Sequence, residues 1–274
     1  MTTTQDNISL HVDENLEFSV QHGLELPDPE QGEFLVETHF SGVNPSDTKH
    51  ATDFQIHPVV LGYDYCGKVL KTPTNSRFQP GQIVAGYART RLGRPLKYGV
   101  HQIYLISVAE TAFALAIFRH SMPPGASTSV GISALQLARA SRVKSIFVTA
   151  SPERHALLRE LGSTHCFDYK SLGYDSGLVV VQPDPRFKLP LAAPNHDVSI
   201  QIAGIPRPFT IPARYADYER AWKGVQWVAE NYGDRFRLPS VEVFEGTADE
   251  ALEELKVVGN HGRGFGKLVL KHPF

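Results

Sequence analysis

The chain has 274 residues and a net charge of −2, and its 42% hydrophobic and 20% charged residues are the balance of a folded domain with room for a substantial core. So little charge offers no basic field for nucleic acid or an anionic membrane, and no apolar run approaches the roughly 20 residues that cross a bilayer. Cys66 and Cys166 lie far apart without CxxC spacing, which argues against a disulfide framework and against a thiolate metal site.

The polar start, MTTTQDNISL, has neither the basic nor the apolar region of a signal peptide, so a cytoplasmic protein is expected. Short β-rich runs follow at Ser9 to Val12, Leu16 to Val20, Phe34 to Phe40, Val59 to Gly62, Gly67 to Leu70 and Gln82 to Ala85. They are separated by DEN, PDPEQG and GVNPSD, and by the Pro80-Gly81 turn, a pattern that predicts a partly open β-barrel.

The texture changes near residue 109. Ala109 to Phe118 is small and apolar at helical spacing, and Val130 to Arg142 reads as an amphipathic helix. Ser145 to Thr149 is a short buried strand. Pro152 to Leu161 is a helix capped by Ser151, with proline at its first position and Gly162 as its stop, and His165 to Phe167 is another strand. Helix, strand, helix, strand is the alternation of a doubly wound α/β domain. Leu178 to Val181 and Asp197 to Ile202 suit strands. Ala213 to Tyr232 predicts a long helix with Tyr218, Ala221, Trp222, Val225 and Val228 or Ala229 inward. Thr247 to Glu250 is a capping box opening a last helix that ends at Gly259, and Lys267 to Leu270 is a final strand. The economical division is a barrel domain at 1–108 and 236–274, with an α/β domain inserted at 109–235.

Three stretches, in order, carry a resemblance. The first is Gly42-Val43-Asn44-Pro45-Ser46-Asp47-Thr48-Lys49. The second is Leu61-Gly62-Tyr63-Asp64-Tyr65-Cys66-Gly67 with Phe78 to Gly86, and the third is Gly125-Ala126-Ser127-Thr128-Ser129-Val130-Gly131 with Ser151-Pro152-Glu153-Arg154 and Phe167-Asp168-Tyr169. Together they resemble the zinc-independent medium-chain dehydrogenase/reductase superfamily, nearest the fungal trans-acting enoyl reductases of polyketide biosynthesis and toxin-cluster relatives. The resemblance implies an α/β protein: a GroES-like partly open β-barrel domain plus a truncated Rossmann-like doubly wound domain. It also implies NADPH as cofactor and hydride transfer to an activated C=C bond of a small-molecule or carrier-bound polyketide. It leaves open a polyketide synthase as protein partner and a monomer or a homodimer.

The resemblance also assigns residues. Zinc-dependent members need a Cys or His in the first stretch and Gly-His-Glu in the second. Here the chain reads Asn-Pro-Ser-Asp and Gly-Tyr-Asp, which cannot supply a tetrahedral zinc site, so no metal is expected. Ser127, Thr128, Ser129 and Val130 would line the phosphates at a helix N-terminus. Ser151 and Arg154 would receive a 2′-phosphate, because the preceding strand has no acidic tip. A plain helix cap and a solvated arginine are the alternative for that pair. Tyr169 would pack near the adenine ribose. Ser46, Asp47, Thr48 and Lys49, with Gly264 and Phe265, would border the nicotinamide. Lys49 is the catalytic candidate, a cation polarising the substrate carbonyl, against the plainer reading of a surface lysine. Tyr63, Asp64 and Tyr65 read as barrel residues lining the cleft.

Departures matter as much. Arg119 to Pro124 cannot make the central strand that normally runs into a phosphate turn. A full helix before Thr111, a strand after Tyr169 and part of the barrel near Arg89 to Tyr98 are also missing relative to the family. The sheet would carry a central gap unless a segment such as Leu178 to Val181 fills it. Two readings follow: a reductase with a shortened cofactor half, or a shortened homologue without redox activity acting as a cyclase or binding partner in the same pathway.

Overall fold

The computed structural model describes residues 6–25, 28–114, 129–168, 171, 179–181, 197–200, 207, 209–238, 240–263 and 266–274. In chain order the first half gives β1 (Ser9–Val12), β2 (Phe18–Gln21), β3 (Glu33–Gly42), α1 (Ser46–Phe54), β4 (Val59–Val60), β5 (Asp64–Lys71), β6 (Ile83–Tyr87), β7 (Tyr104–Val108) and β8 (Ala112–Ala114). β1 and β2 form a hairpin because the Asp13 carboxylate accepts from the backbone N–H groups of Asn15 and Glu17, both at 2.8 Å, and folds the DEN turn.

β3 organises the barrel. Its Phe34 and Val36 are fully buried, and its hydrogen-bonding edges are taken along nearly the whole strand. β5 pairs along one edge from Leu35 to Gly42, while β7 takes Glu33 to Glu37 on the other edge and β15 (Lys267–Lys271) takes Phe40 to Gly42. The resulting sheet runs β14-β15-β3-β5-β6-β8, with β14 at Val241–Phe244. β1 closes the barrel through Leu61 N–H to the Leu10 carbonyl at 2.8 Å and Leu10 N–H to the His101 carbonyl at 2.9 Å. The run expected to be helical from Ala109 divides differently. A single 3-10 turn, Ala109–Thr111, is followed by β8, paired antiparallel with β6. Small apolar residues carry no firm period, and the open edge of β6 offered backbone partners that a helix would have left unmet.

The second half gives α2 (Ser129–Ala140), β9 (Ile146–Thr149), a 3-10 turn at Pro152–Arg154, α3 (His155–Leu161) and β10 (His165–Phe167). β11 (Val179–Val181), β12 (Val198–Ile200), β13 (Phe209–Ile211), α4 (Tyr215–Asn231), β14, α5 (Ala248–His261) and β15 complete the order. β9 sits between β10, parallel to it, and β11, antiparallel to it. The segment suspected of filling the gap therefore does so, but in the reverse direction. Ile132 and Leu135 of α2 bury against Ile146 and Val148 of β9 and Leu158 of α3.

Three helix expectations are corrected. Ser151 stands at the N-cap position, with proline following, but its side chain makes no capping bond. The inward face of α4 is only half-buried: Tyr218, Trp222, Val228 and Ala229 lie on it, whereas Ala221 and Val225 are exposed. α5 keeps its predicted capping box yet runs past Gly259 to Gly262. Gly259 is there for packing, since a Cβ would meet Thr48 Oγ1 of α1 at 2.0 Å. The residues before Gly125, where a central strand was judged impossible, lie outside the described residues.

Candidate active-site cleft

The GVNPSD turn opens α1 with Asp47 in its first turn, where a carboxylate suits the helix dipole. Asp47 Oδ2 accepts from the Asn44 backbone N–H at 2.7 Å and meets His101 Nε2 at 3.1 Å. His101 Nδ1 lies 2.8 Å from Ser41 Oγ, which lies 2.8 Å from His272 Nε2. Ser41, His101 and Asp47 are thus linked in the order of a hydrolytic triad, but at 1%, 0% and 2% exposure no substrate reaches the hydroxyl. The relay instead holds α1 onto β3 and β15. Thr48 is buried against Gly259, while Ser46 is half-buried and Lys49 exposed. Of the four consecutive residues expected beside a cofactor, two face the protein interior.

Asn44, at the end of that turn, belongs to a second cluster. Lys267, opening β15, places Nζ 2.6 Å from Asn44 Oδ1 and 3.0 Å from Asp64 Oδ2, and Asn44 Nδ2 donates to Asp64 Oδ1 at 2.5 Å. The cluster needs glycine at 42, because a Cβ there would lie 2.0 Å from Asp64 Oδ2 and 2.8 Å from Lys267 Nζ. Asn44 and Asp64 are two of the residues that stand where zinc-dependent relatives would carry ligands. An ammonium already joins them.

Beside α1, His50 Nδ1 meets the Tyr63 hydroxyl at 2.9 Å, and burial pushes the Tyr63 phenol up to about 12. Cys66 is pushed up to about 11 by burial alone, so its thiol is inert near neutral pH. Among the described residues no three His, Cys, Asp or Glu side chains gather as a metal site, and no helix is long and apolar enough to cross a membrane.

Two of the nucleotide-type residues fall at one end of the smaller sheet. α2 packs on β9, which follows it after a short connection. Ser151 and Arg154, both half-buried, occupy the turn from β9 into α3. Ser129 and Val130 open α2. Ser127, Thr128, Tyr169, Gly264 and Phe265 lie outside the described residues. Sequence reasoning missed Ser41, His101 and His272, which share no spacing pattern. Gly264 to Lys267 reads from sequence either as a closing turn near the nicotinamide or as a plain strand start, and the strand start at Lys267 is the signal for the Asn44–Asp64–Lys267 cluster.

Comparison with known proteins agrees with this geometry. Residues 30–113 match the alcohol dehydrogenase GroES-like domain. A zinc-binding alcohol dehydrogenase domain-containing protein, cipB of Emericella nidulans, is 32% identical over 168 residues, covering 55% of this chain and 53% of its own. The trans-enoyl reductase himH of Aspergillus japonicus is 27% identical over 193 residues, covering 55% and 56%. The chain therefore spans about half the length of the fungal relatives it matches. Among solved structures, CurK enoyl reductase superposes with a TM-score of 0.59 at 15% identity over 97% of this chain and 99% of its own. A Sinorhizobium meliloti protein solved bound to NADP superposes with a TM-score of 0.58 at 14% identity over 97% and 99%. At such identities the structures speak for the fold, and what the sequence match shows is that residues 30–113 form an alcohol dehydrogenase GroES-like domain.

Proposed function

We propose that this protein is an NADPH-dependent, zinc-independent reductase of an activated C=C bond, acting on a small or carrier-bound polyketide in a secondary-metabolite pathway. The observation that carries the reading is the turn at the end of β9. Ser151 and Arg154 occupy the turn that follows β9, and the resemblance puts the N-terminus of α2 beside them, at the edge where dinucleotides bind in doubly wound sheets. This arrangement fits a phosphorylated nicotinamide nucleotide, with Ser129 and Val130 at the diphosphate and Ser151 and Arg154 at the 2′-phosphate. By the resemblance alone, Tyr169 would pack near the adenine ribose and Gly264 and Phe265 would border the nicotinamide. When bound, NADPH would supply hydride to the β-carbon of the enoyl group.

The chain's own contribution is electrostatic. Lys49 projects from the exposed face of α1 and would polarise the substrate carbonyl, with Ser46 beside it, while Asp47 and Thr48 anchor the helix that presents both. Zinc independence is supported by Lys267, whose ammonium occupies the space between Asn44 and Asp64 and supplies positive charge without a metal. Fluorescence titration with NADPH tests the reading, and no response at millimolar cofactor would sink it. Given turnover, Lys49→Ala should lower kcat/KM by about 10²-fold.

One observation favours a second reading. β11 lies beside β9 in the reverse direction, so no strand of the described sheet runs into α2. A shortened homologue without redox activity, serving as cyclase or binding partner in the same pathway, would keep the barrel and ignore NADPH.

A further inference from the structure

Segment 87–98 covers a cavity of about 70 Å³ whose lining includes Arg89, Arg91, Arg94, Tyr65, Tyr87 and Tyr98. Arg94 is its most unusual member. At 3% exposure it donates to the backbone carbonyls of Val60 at 2.7 Å and Gly62 at 3.2 Å, and it stacks on the Tyr63 ring at 4.5 Å. No carboxylate among the described residues pairs with it, and its Nε is buried without a partner. The buried Asp47 carboxylate acts on this guanidinium through space without an ion pair, and the Nε donor is left unmet by the described residues.

The neighbours repeat the imbalance. Arg89 pairs with Glu110, yet its own Nε is also buried and unpartnered. Arg91 is exposed at the mouth and forms no ion pair among the described residues. The nearby carboxylates are already engaged: Glu33 accepts from Lys97 Nζ and the Tyr98 hydroxyl, and Asp47 is held by Asn44 and His101. Burial keeps the phenols of Tyr65 and Tyr87 protonated. Three arginines therefore line the cavity, no carboxylate is among its lining residues, and Arg89 and Arg94 hold spare buried Nε donors.

We propose that this cavity binds a small monocarboxylic acid, with Arg94 and Arg89 as its counter-charges and Arg91 at its entrance. The volume admits a group of a few heavy atoms and excludes a nucleotide. A planar carboxylate matches the guanidinium fork and slides between tyrosine rings, where a tetrahedral dianion fits less well. None of its lining residues is one assigned to NADPH, so the proposal stands whether or not NADPH binds.

Thermal unfolding of the full chain in sodium acetate, against sodium chloride and sodium phosphate at matched ionic strength, tests this. Acetate should raise the midpoint saturably, by about 5 °C at a hundred times its dissociation constant. Arg91→Ala, which alters an exposed side chain, should weaken that response by about tenfold, and Arg94→Met should abolish it. Should Arg94→Met fail to fold, Arg89→Leu must weaken acetate binding instead. Equal stabilisation by chloride, a response to phosphate but not acetate, or wild-type affinity in both Arg91→Ala and Arg89→Leu would overturn the assignment.

Discussion

The barrel and the β10-β9-β11 sheet solve one problem with different success. In the barrel, β3 has partners along both edges, and β1 shuts the remaining side through backbone bonds to Leu61 and His101. The smaller sheet also satisfies its central strand, but it does so with β11 running opposite to β9. Hydrogen-bond accounting accepts a strand of either direction. A phosphate turn does not, because it requires a strand that runs into the glycine loop and aims the helix behind it. Shortening a nucleotide domain therefore leaves stability easier to repair than binding geometry.

The comparison can be broken most forcefully by core truncation. Phe34→Ala, at the centre of the barrel, should cost about 3–5 kcal/mol, and Leu135→Ala, between α2 and β9, about 2–5 kcal/mol. If the regions unfold independently, denaturant titration followed by two probes will show each variant moving a different transition. A single transition shifted by both would mean that the small sheet leans on the barrel.

Acid sharpens the barrel side. Burial, reinforced by the neighbouring His101 and His39, lowers His272 from 6.5 to about 3. Below pH 6.5 the unfolded chain takes up a proton that the native chain refuses, so stability falls as pH falls, by about 1.4 kcal/mol per unit until the folded value is reached. His272→Asn should flatten that acid limb in urea titrations at pH 5 and 7, and an unchanged slope would remove His272 from the account. Beside the Asn44–Asp64–Lys267 cluster, Gly42→Ala should cost about 1–3 kcal/mol, since its new methyl displaces Asp64 and Lys267. The smallest effect expected is Thr247→Ala, which removes one half of the α5 capping box and should lower stability by about 1 kcal/mol in the same titration.

Much of this was legible before any coordinates. The β-rich run at Ser9–Val12, the capping box at Thr247, the strand at Ile146–Thr149 and the position of Gly162 are local choices, set by residue type within a few neighbours. The GroES-like domain matched at residues 30–113 was legible for the same reason, through the motifs at Gly42–Lys49 and Leu61–Gly67. Tertiary structure alone decided the rest. It made a strand of Ala112–Ala114 because β6 had an edge to fill, and it carried α5 through Gly259 because Thr48 needed the space. It drew Ser41, His101, His272 and Asp47 into one buried relay across 231 residues of sequence. It also set the ammonium of Lys267 between Asn44 and Asp64, a contact spanning 223 residues. Propensity acts over a turn of chain, whereas a buried charge takes whichever partner the fold delivers, and one sequence does not record that choice.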